Sequence, residues 1–174
     1  MNTHLKERHF NIDLYTDVVV SDNMVVFPLW NLSGQMVGYQ QYNPSGKKDR
    51  CNDPKNNKYY TYISKTNKKI ALTAWGLQVL DPSKRTIYLL EGIFKACRFH
   101  NYGLNALAVL GNNPKHLKTW LKTLGYDLVS VCDGDKAGRR LAKYGDKSIF
   151  LPDGVYVDEM TEEEFLLLLK RLGE

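Results

Sequence analysis

Three segments between Thr86 and Arg140 decide the fold: TIYLLEGIFKA (Thr86–Ala96), NALAVLG (Asn105–Gly111) and LVSVCDGDKAGRR (Leu128–Arg140). Each opens on an apolar run and reaches a glycine-containing turn, and two of those turns carry acids: Glu91 in the first, Asp133 and Asp135 in the third. Near-continuous apolar runs mark strands covered on both faces, as in parallel sheets. Ligands of open α/β sheets bind beyond the carboxyl ends of such strands. The three acids are therefore expected to converge on one crevice.

Working outward, strands are expected over 86–90, 105–110, 128–132 and 147–151, alternating with helices over 93–102, 114–124 and 136–144. Parallel strands with right-handed helical crossovers are the economical arrangement for that alternation. A last helix is expected over 161–172, where Thr161 and Glu164 have capping-box spacing and acids fill the first turn. Its run Phe165–Leu169 is apolar nearly all round, so it must pack against the body or a partner.

The first half reads differently. Val18–Val20, Val25–Trp30 and Gln35–Tyr42 read as strands of an antiparallel sheet joined by SDN and NLSG turns, with Met36, Tyr39 and Gln41 expected on one face. NPSGKKDRCNDPKNN (Asn43–Asn57) is a loop. Lys47, Lys48, Arg50, Lys55 and Lys58 lie in or beside it, and Tyr59, Tyr60 and Tyr62 follow. Bases interleaved with aromatics suit a single-stranded nucleic-acid track, where cations meet phosphates and rings stack on bases. The alternative is half-buried strand tyrosines beside solvated lysines. Ala71–Leu80 is expected to form a short helix before the strand-helix alternation begins.

The 174-residue chain suits one domain with an additional layer. No apolar run approaches the roughly 20 residues of a membrane span, and MNTHLKERHF lacks the apolar stretch of a signal peptide, so a cytoplasmic location is expected. Cys51, Cys97 and Cys132 are isolated, which points to reduced structural thiols. The four histidines show no metal-ligand spacing and are expected at the surface or at caps; Trp30, Trp75 and Trp120 are expected in the core. The net charge of +5 is uneven: residues 151–174 hold two bases and seven acids, so the body is more basic than the total. A polyanionic partner fits that body.

The acids carry the chemistry. Residues two apart in an extended segment point to the same side, so Asp133 and Asp135 repel each other when empty and gain from a divalent cation. Oxygen-only ligands favour Mg²⁺ or Mn²⁺. Lys136, Arg139 and Arg140 begin the next helix, where they balance phosphate charge. Glu91, exposed by its turn, suits either metal ligation or proton transfer in phosphoryl chemistry. A strand-Glu-Gly element followed by strand-Asp-Gly-Asp is far more specific than Asp-Gly-Asp alone.

LLEGIFKA (Leu89–Ala96) and VCDGDKAGRR (Val131–Arg140) resemble the glutamate and paired-aspartate motifs of the toprim fold, found in bacterial-type replicative primases, topoisomerases and some nucleases. LAVLG (Leu107–Gly111) looks like its intervening strand, and LPDGVYVDE (Leu151–Glu159) its later acidic stretch. The resemblance extends upstream to the polymerase core of bacterial and phage DNA primases: LKERHF (Leu5–Phe10) is similar to the start of that core, VVFPLWNLSGQMVGYQQYN (Val25–Asn43) to its strand–turn–strand segment, and NKYYTYISK (Asn57–Lys65) to its Lys-Tyr ridge.

That likeness implies an α/β fold: a toprim unit, Rossmann-like with a mainly parallel sheet and flanking helices, over 83–174, preceded by a smaller antiparallel β-rich unit over 1–82. It implies catalysis by Glu91, Asp133 and Asp135 through Mg²⁺ or Mn²⁺, with Asp158 as an outer metal ligand. Lys58 and Tyr59 would contact template, joined by Lys47, Lys48 and Arg50, while Lys136 and Arg139 would lie near nucleotide. The implied activity is DNA-templated RNA primer synthesis from ribonucleoside triphosphates on single-stranded DNA, with a replicative helicase or zinc-module protein as partner. The alternatives are a toprim metal-dependent nuclease and a catalytically weakened nucleic-acid- or partner-binding module. Three positions depart from the pattern: Lys95 and Tyr156 stand where acids are usual, and Tyr42 where a ridge arginine is usual. The first two remove candidate ligands for a second metal ion.

Overall fold

Period-two alternation along the central strand sorts the core onto two faces. The computed structural model describes residues 1–48, 53–111, 113–136 and 138–174. Its elements in chain order are α1 (Asn2–Glu7), β1 (Val19–Val20), β2 (Val25–Trp30), β3 (Met36–Tyr42), β4 (Tyr59–Ile63), β5 (Lys65–Thr66), β6 (Lys69–Ile70), β7 (Thr86–Leu90), α2 (Ile93–His100), β8 (Ala106–Ala108), α3 (Lys118–Thr123), β9 (Asp127–Cys132), α4 (Gly138–Leu141), β10 (Lys147–Phe150) and α5 (Glu162–Leu172). β7 to β10 form a parallel sheet in the order β10-β9-β7-β8, and β1 to β4 an antiparallel sheet in sequence order. β5 and β6 make a small separate hairpin.

In β7, Ile87 and Leu89 point to one side, where they pack with Trp120 and Leu121 of α3 and Leu141 of α4. Tyr88 and Leu90 point to the other, into a larger core that holds Phe94 and Phe99 of α2, Phe165 and Leu168 of α5, and Phe27, Leu29 and Tyr42 of the antiparallel sheet. The two sheets are thus joined through one apolar cluster, with Leu5, Phe10 and Trp75 filling the space between them.

Arg98 of α2 is 1% exposed and pins the segment before α5, donating to the carbonyls of Val157 (3.0 Å), Met160 and Thr161 (2.8 Å). The capping box of Thr161 and Glu164 starts α5 as expected, and Phe165, Leu168 and Leu169 are buried, whereas Leu166 and Leu167 face outward.

Several expectations are corrected. Ala71–Leu80 is not a helix: Trp75 pairs antiparallel with Ala108 through two backbone hydrogen bonds (3.0 and 2.9 Å), and only Leu77–Val79 makes a 3₁₀ turn. Gly76 adopts φ +107°, and a Cβ there would come within 2.5 Å of the Ala106 carbonyl oxygen, so the segment follows the sheet edge. The helix over 136–144 shrinks to α4, because the chain turns back at Gly145 and Asp146 binds the backbone N–H of Leu128 (3.0 Å). The strand over 105–110 ends at Ala108, two residues before Leu110 at φ 59°.

Met36, Tyr39 and Gln41 do lie on one face, as expected, paired with Trp30, Pro28 and Val26, alternate residues of β2; their burial differs, Met36 being 62% exposed and Gln41 buried. The register shift at Leu29/Trp30 skips Val37 and so brings Met36 to the side of Tyr39, and the far end of β3 is covered on both sides. Trp75 and Trp120 are buried and Trp30 is half-buried. Cys97 and Cys132 are buried free thiols, and Cys51 lies outside the described residues. No described helix is long and apolar enough to cross a membrane.

His100, expected at the surface or at a cap, is instead buried. Its Nε2–H donates to the Ala106 carbonyl (2.9 Å), and Nδ1 accepts from the Tyr15 hydroxyl (2.7 Å), which fixes the neutral tautomer. Burial pushes its pKa down from 6.5 to about 4, and the Ala106 bond opposes that only in part. Between those values the unfolded chain holds a proton that the folded chain excludes. This contribution to stability is therefore complete above about pH 6.5 and is lost as the pH falls to about 4, a change of about 3 kcal/mol. Urea unfolding from pH 7 to 4 should show that acid limb, and His100→Gln should flatten it.

Candidate active site

Pairing β7 with β9 brings the acids to one sheet edge. Leu89 pairs with Ser130, so the strands end side by side with Glu91 and Asp133 just beyond. Gly138 makes this turn possible: a Cβ there would lie 2.0 Å from the Asp133 carbonyl oxygen. Asp135 closes the same turn, its Oδ1 accepting from the Gly138 N–H (2.8 Å). At the neighbouring strand end, Leu110 holds a left-handed φ of 59°, a strained value for a residue with a side chain.

These residues line a cleft of about 630 Å³ whose opposite wall is the antiparallel sheet. Glu91, Asp133, Asp135 and Asp158 all face it, as do Leu110, Gly111, Arg8 and Lys95. Gln40 of β3, Lys48, and Tyr59 and Thr61 of β4 complete it.

Electrostatically, the cleft is not a bare acidic pocket. The Lys95 ammonium donates to Asp133 Oδ2, with side chains 14% and 9% exposed. The Arg8 guanidinium donates to Asp158 Oδ2, with side chains 20% and 8% exposed, and also stacks 4.6 Å from the Phe94 ring centroid. Among the described residues, no ion pair closes on Glu91 or Asp135. Burial raises the Glu91 pKa above the ordinary carboxylate value; Lys95 works against that, while Asp133 and Asp135 add to it. Burial also pushes the Tyr59 hydroxyl up to about 12.

Among the described residues no three His, Cys, Asp or Glu side chains stand together as a ready metal site. The four acids named from the sequence share the cleft, but two of them are closed on cations of the chain itself.

The basic residues divide. Lys48 and Tyr59 line the cleft, whereas Lys47, Lys58, Lys136 and Arg139 are not among its lining residues, and Arg50 lies outside the described residues. Tyr42 is fully buried, bonded to His4 (2.7 Å), and so faces the core rather than a ridge. Arg8 was not singled out from the sequence. It lies within LKERHF, but nothing in that segment foretells its role, because its partner lies 150 residues away.

The Arg8 pair gives a stability test. Removing one partner of a buried pair strands the other charge. Arg8→Met should cost about 3 kcal/mol in urea unfolding, and adding Asp158→Asn should restore part of the loss.

No protein-family model and no curated protein sequence matches the chain. Solved structures do. The E. coli primase catalytic core is 21% identical, with 96% of this chain and 63% of that chain covered at a TM-score of 0.60. The RNA polymerase domain of Mycobacterium tuberculosis primase DnaG, solved with double-stranded DNA, is 20% identical, with 98% and 62% covered at 0.62. The primase fragment of the bacteriophage T7 primase-helicase is 11% identical, with 99% and 70% covered at 0.61. The chain spans less than two thirds of the bacterial cores it matches. Both sheets lie within those alignments, so the chain has the fold of bacterial and phage primase catalytic cores: a toprim parallel sheet preceded by an antiparallel β-rich layer.

Proposed function

We propose that the chain synthesises RNA primers on single-stranded DNA, as a primase catalytic core. The observation that carries this reading is a cleft walled by both layers, with Tyr59, Thr61 and Lys48 facing the strand-end acids. A nuclease centred on the same acids has no use for the second wall.

In the proposed reaction a 3′-hydroxyl attacks the α-phosphorus of a ribonucleoside triphosphate. A new oxygen–phosphorus bond forms, the bond to pyrophosphate breaks, and the hydroxyl proton leaves to a base. Glu91, half-buried and with raised proton affinity, suits that base. Tyr59, 44% exposed, offers a ring for a template base, and Lys48 a cation for phosphate. Lys47, Lys58, Lys136 and Arg139 would meet phosphates further along the strands.

Mg²⁺ or Mn²⁺ are the ions that oxygen donors select, and they would neutralise phosphate charge. Glu91 and Asp135 are the carboxylates open to such an ion, whereas Asp133 and Asp158 must first release Lys95 and Arg8. Residues 1–82 and 83–174 are proposed as template and catalytic units, working in the cytoplasm with a helicase or zinc-module protein.

The Lys95–Asp133 pair favours one second reading, a module that binds nucleic acid without catalysis. Incubation with single-stranded DNA, labelled ribonucleotides and Mg²⁺ or Mn²⁺ separates the readings. Short RNA is expected, with the yield cut about 100-fold by Asp135→Asn or Glu91→Gln. Tyr59→Ala should weaken DNA binding about tenfold, and affinity should fall steeply with salt. Loss of DNA without RNA would indicate a nuclease. Binding without either activity, indifferent to Asp133→Ala and Asp135→Ala, would indicate the binding module.

A further inference from the structure

Lys95 sits where its own helix does not favour it. It is the third residue of α2, after the cap at Gly92, and the first turn of that helix contains no acid. The positive end of a helix dipole disfavours a cation there. Local preference therefore does not explain the residue, and what holds it is the cleft. Its ammonium bonds Asp133 Oδ2 and lies 5.2 Å from the centroid of the Tyr156 ring, within cation–π reach. Lys95 and Tyr156 are the two positions where acids are usual in the pattern the sequence resembles, and here they meet each other over a third acid. Both line the cleft beside Glu91 and Asp135.

We propose that Lys95 is a tethered cation that takes the place of a divalent ion at Asp133, with Tyr156 as the floor of its site. The cleft then binds fewer divalent ions than its four carboxylates would otherwise hold, and part of the positive charge facing a bound polyphosphate is built into the chain. The Asp133 oxygen that would ligate a metal is occupied by an ammonium hydrogen. A divalent ion at that oxygen would have to displace a cation that is four-fifths or more buried, held by charge and by an aromatic face. The inference deepens the primer-synthesis reading by assigning Lys95 a positioning and charge-supplying role there.

Mn²⁺ binding tests it without reference to turnover. Electron paramagnetic resonance of free Mn²⁺ gives the number of bound ions and their affinity, with circular dichroism to check the fold of each variant. Lys95→Gln, which removes the charge and adds no carboxylate, should tighten Mn²⁺ binding about tenfold. Lys95→Asp should add one bound ion relative to the wild-type chain. Should Lys95→Asp fail to fold, Lys95→Gln alone still decides. Equal Mn²⁺ number and affinity in wild type and folded variants would overturn the proposal. The priming assay is read separately: altered Mn²⁺ binding without RNA would keep this inference and remove primer synthesis, whereas RNA with unaltered Mn²⁺ binding would do the reverse.

Discussion

Parallel pairing of β7 with β9 is the constraint on which the site depends. Thr86 pairs with Asp127 and Leu89 with Ser130, so the strands run out together and their carboxyl ends sit at one edge. Adjacent parallel strands leave two chain ends at the same place with no hairpin between them, and that vacant edge is where open sheets host chemistry. A slip of one residue in β9 would turn Val131 and Cys132 each into the other's core and move Asp133 relative to Glu91. Two separate apolar clusters, one on each face, resist that slip.

Onto this edge the chain folds its antiparallel layer, and the join is apolar: Phe27 and Tyr42 meet Phe94 edge-on, at ring-centroid separations of 5.9 and 4.8 Å. Phe94 directly precedes Lys95, and Arg8 stacks on the same ring. The packing that unites the layers thus also places two cations beside Asp133 and Asp158. Buried pairs of this kind add little net stability, because desolvation offsets attraction, but they fix geometry strongly since neither partner can be left alone.

Much of this was legible in the sequence. The parallel unit follows from apolar runs at Thr86–Leu90 and Leu128–Cys132, and the position of Glu91, Asp133 and Asp135 from the rule that chemistry sits after such strands. The capping box at Thr161 is local and was equally plain. What sequence patterns missed was decided by tertiary contact. Ala71–Leu80 looks helical until Gly76 and the edge of β8 are put together, and His100 looks exposed until Tyr15, distant in the chain, supplies its hydroxyl. Lys95 and Tyr156 could be seen as departures, but only the fold shows that they touch. Arg8 lies within LKERHF, but nothing local foretells its pairing with Asp158.

The central claim is that one cleft, walled by both sheets, meets nucleic acid. Backbone amide shifts of the 20.0 kDa chain during titration with single-stranded DNA test it most directly. Shifts gathered at Gln40, Tyr59 and Thr61 on one wall and at Gly92, Gly111 and Gly134 on the other are the expected result. Shifts confined to the opposite end of the parallel sheet, around Thr86, Asp127 and Lys147, would contradict it.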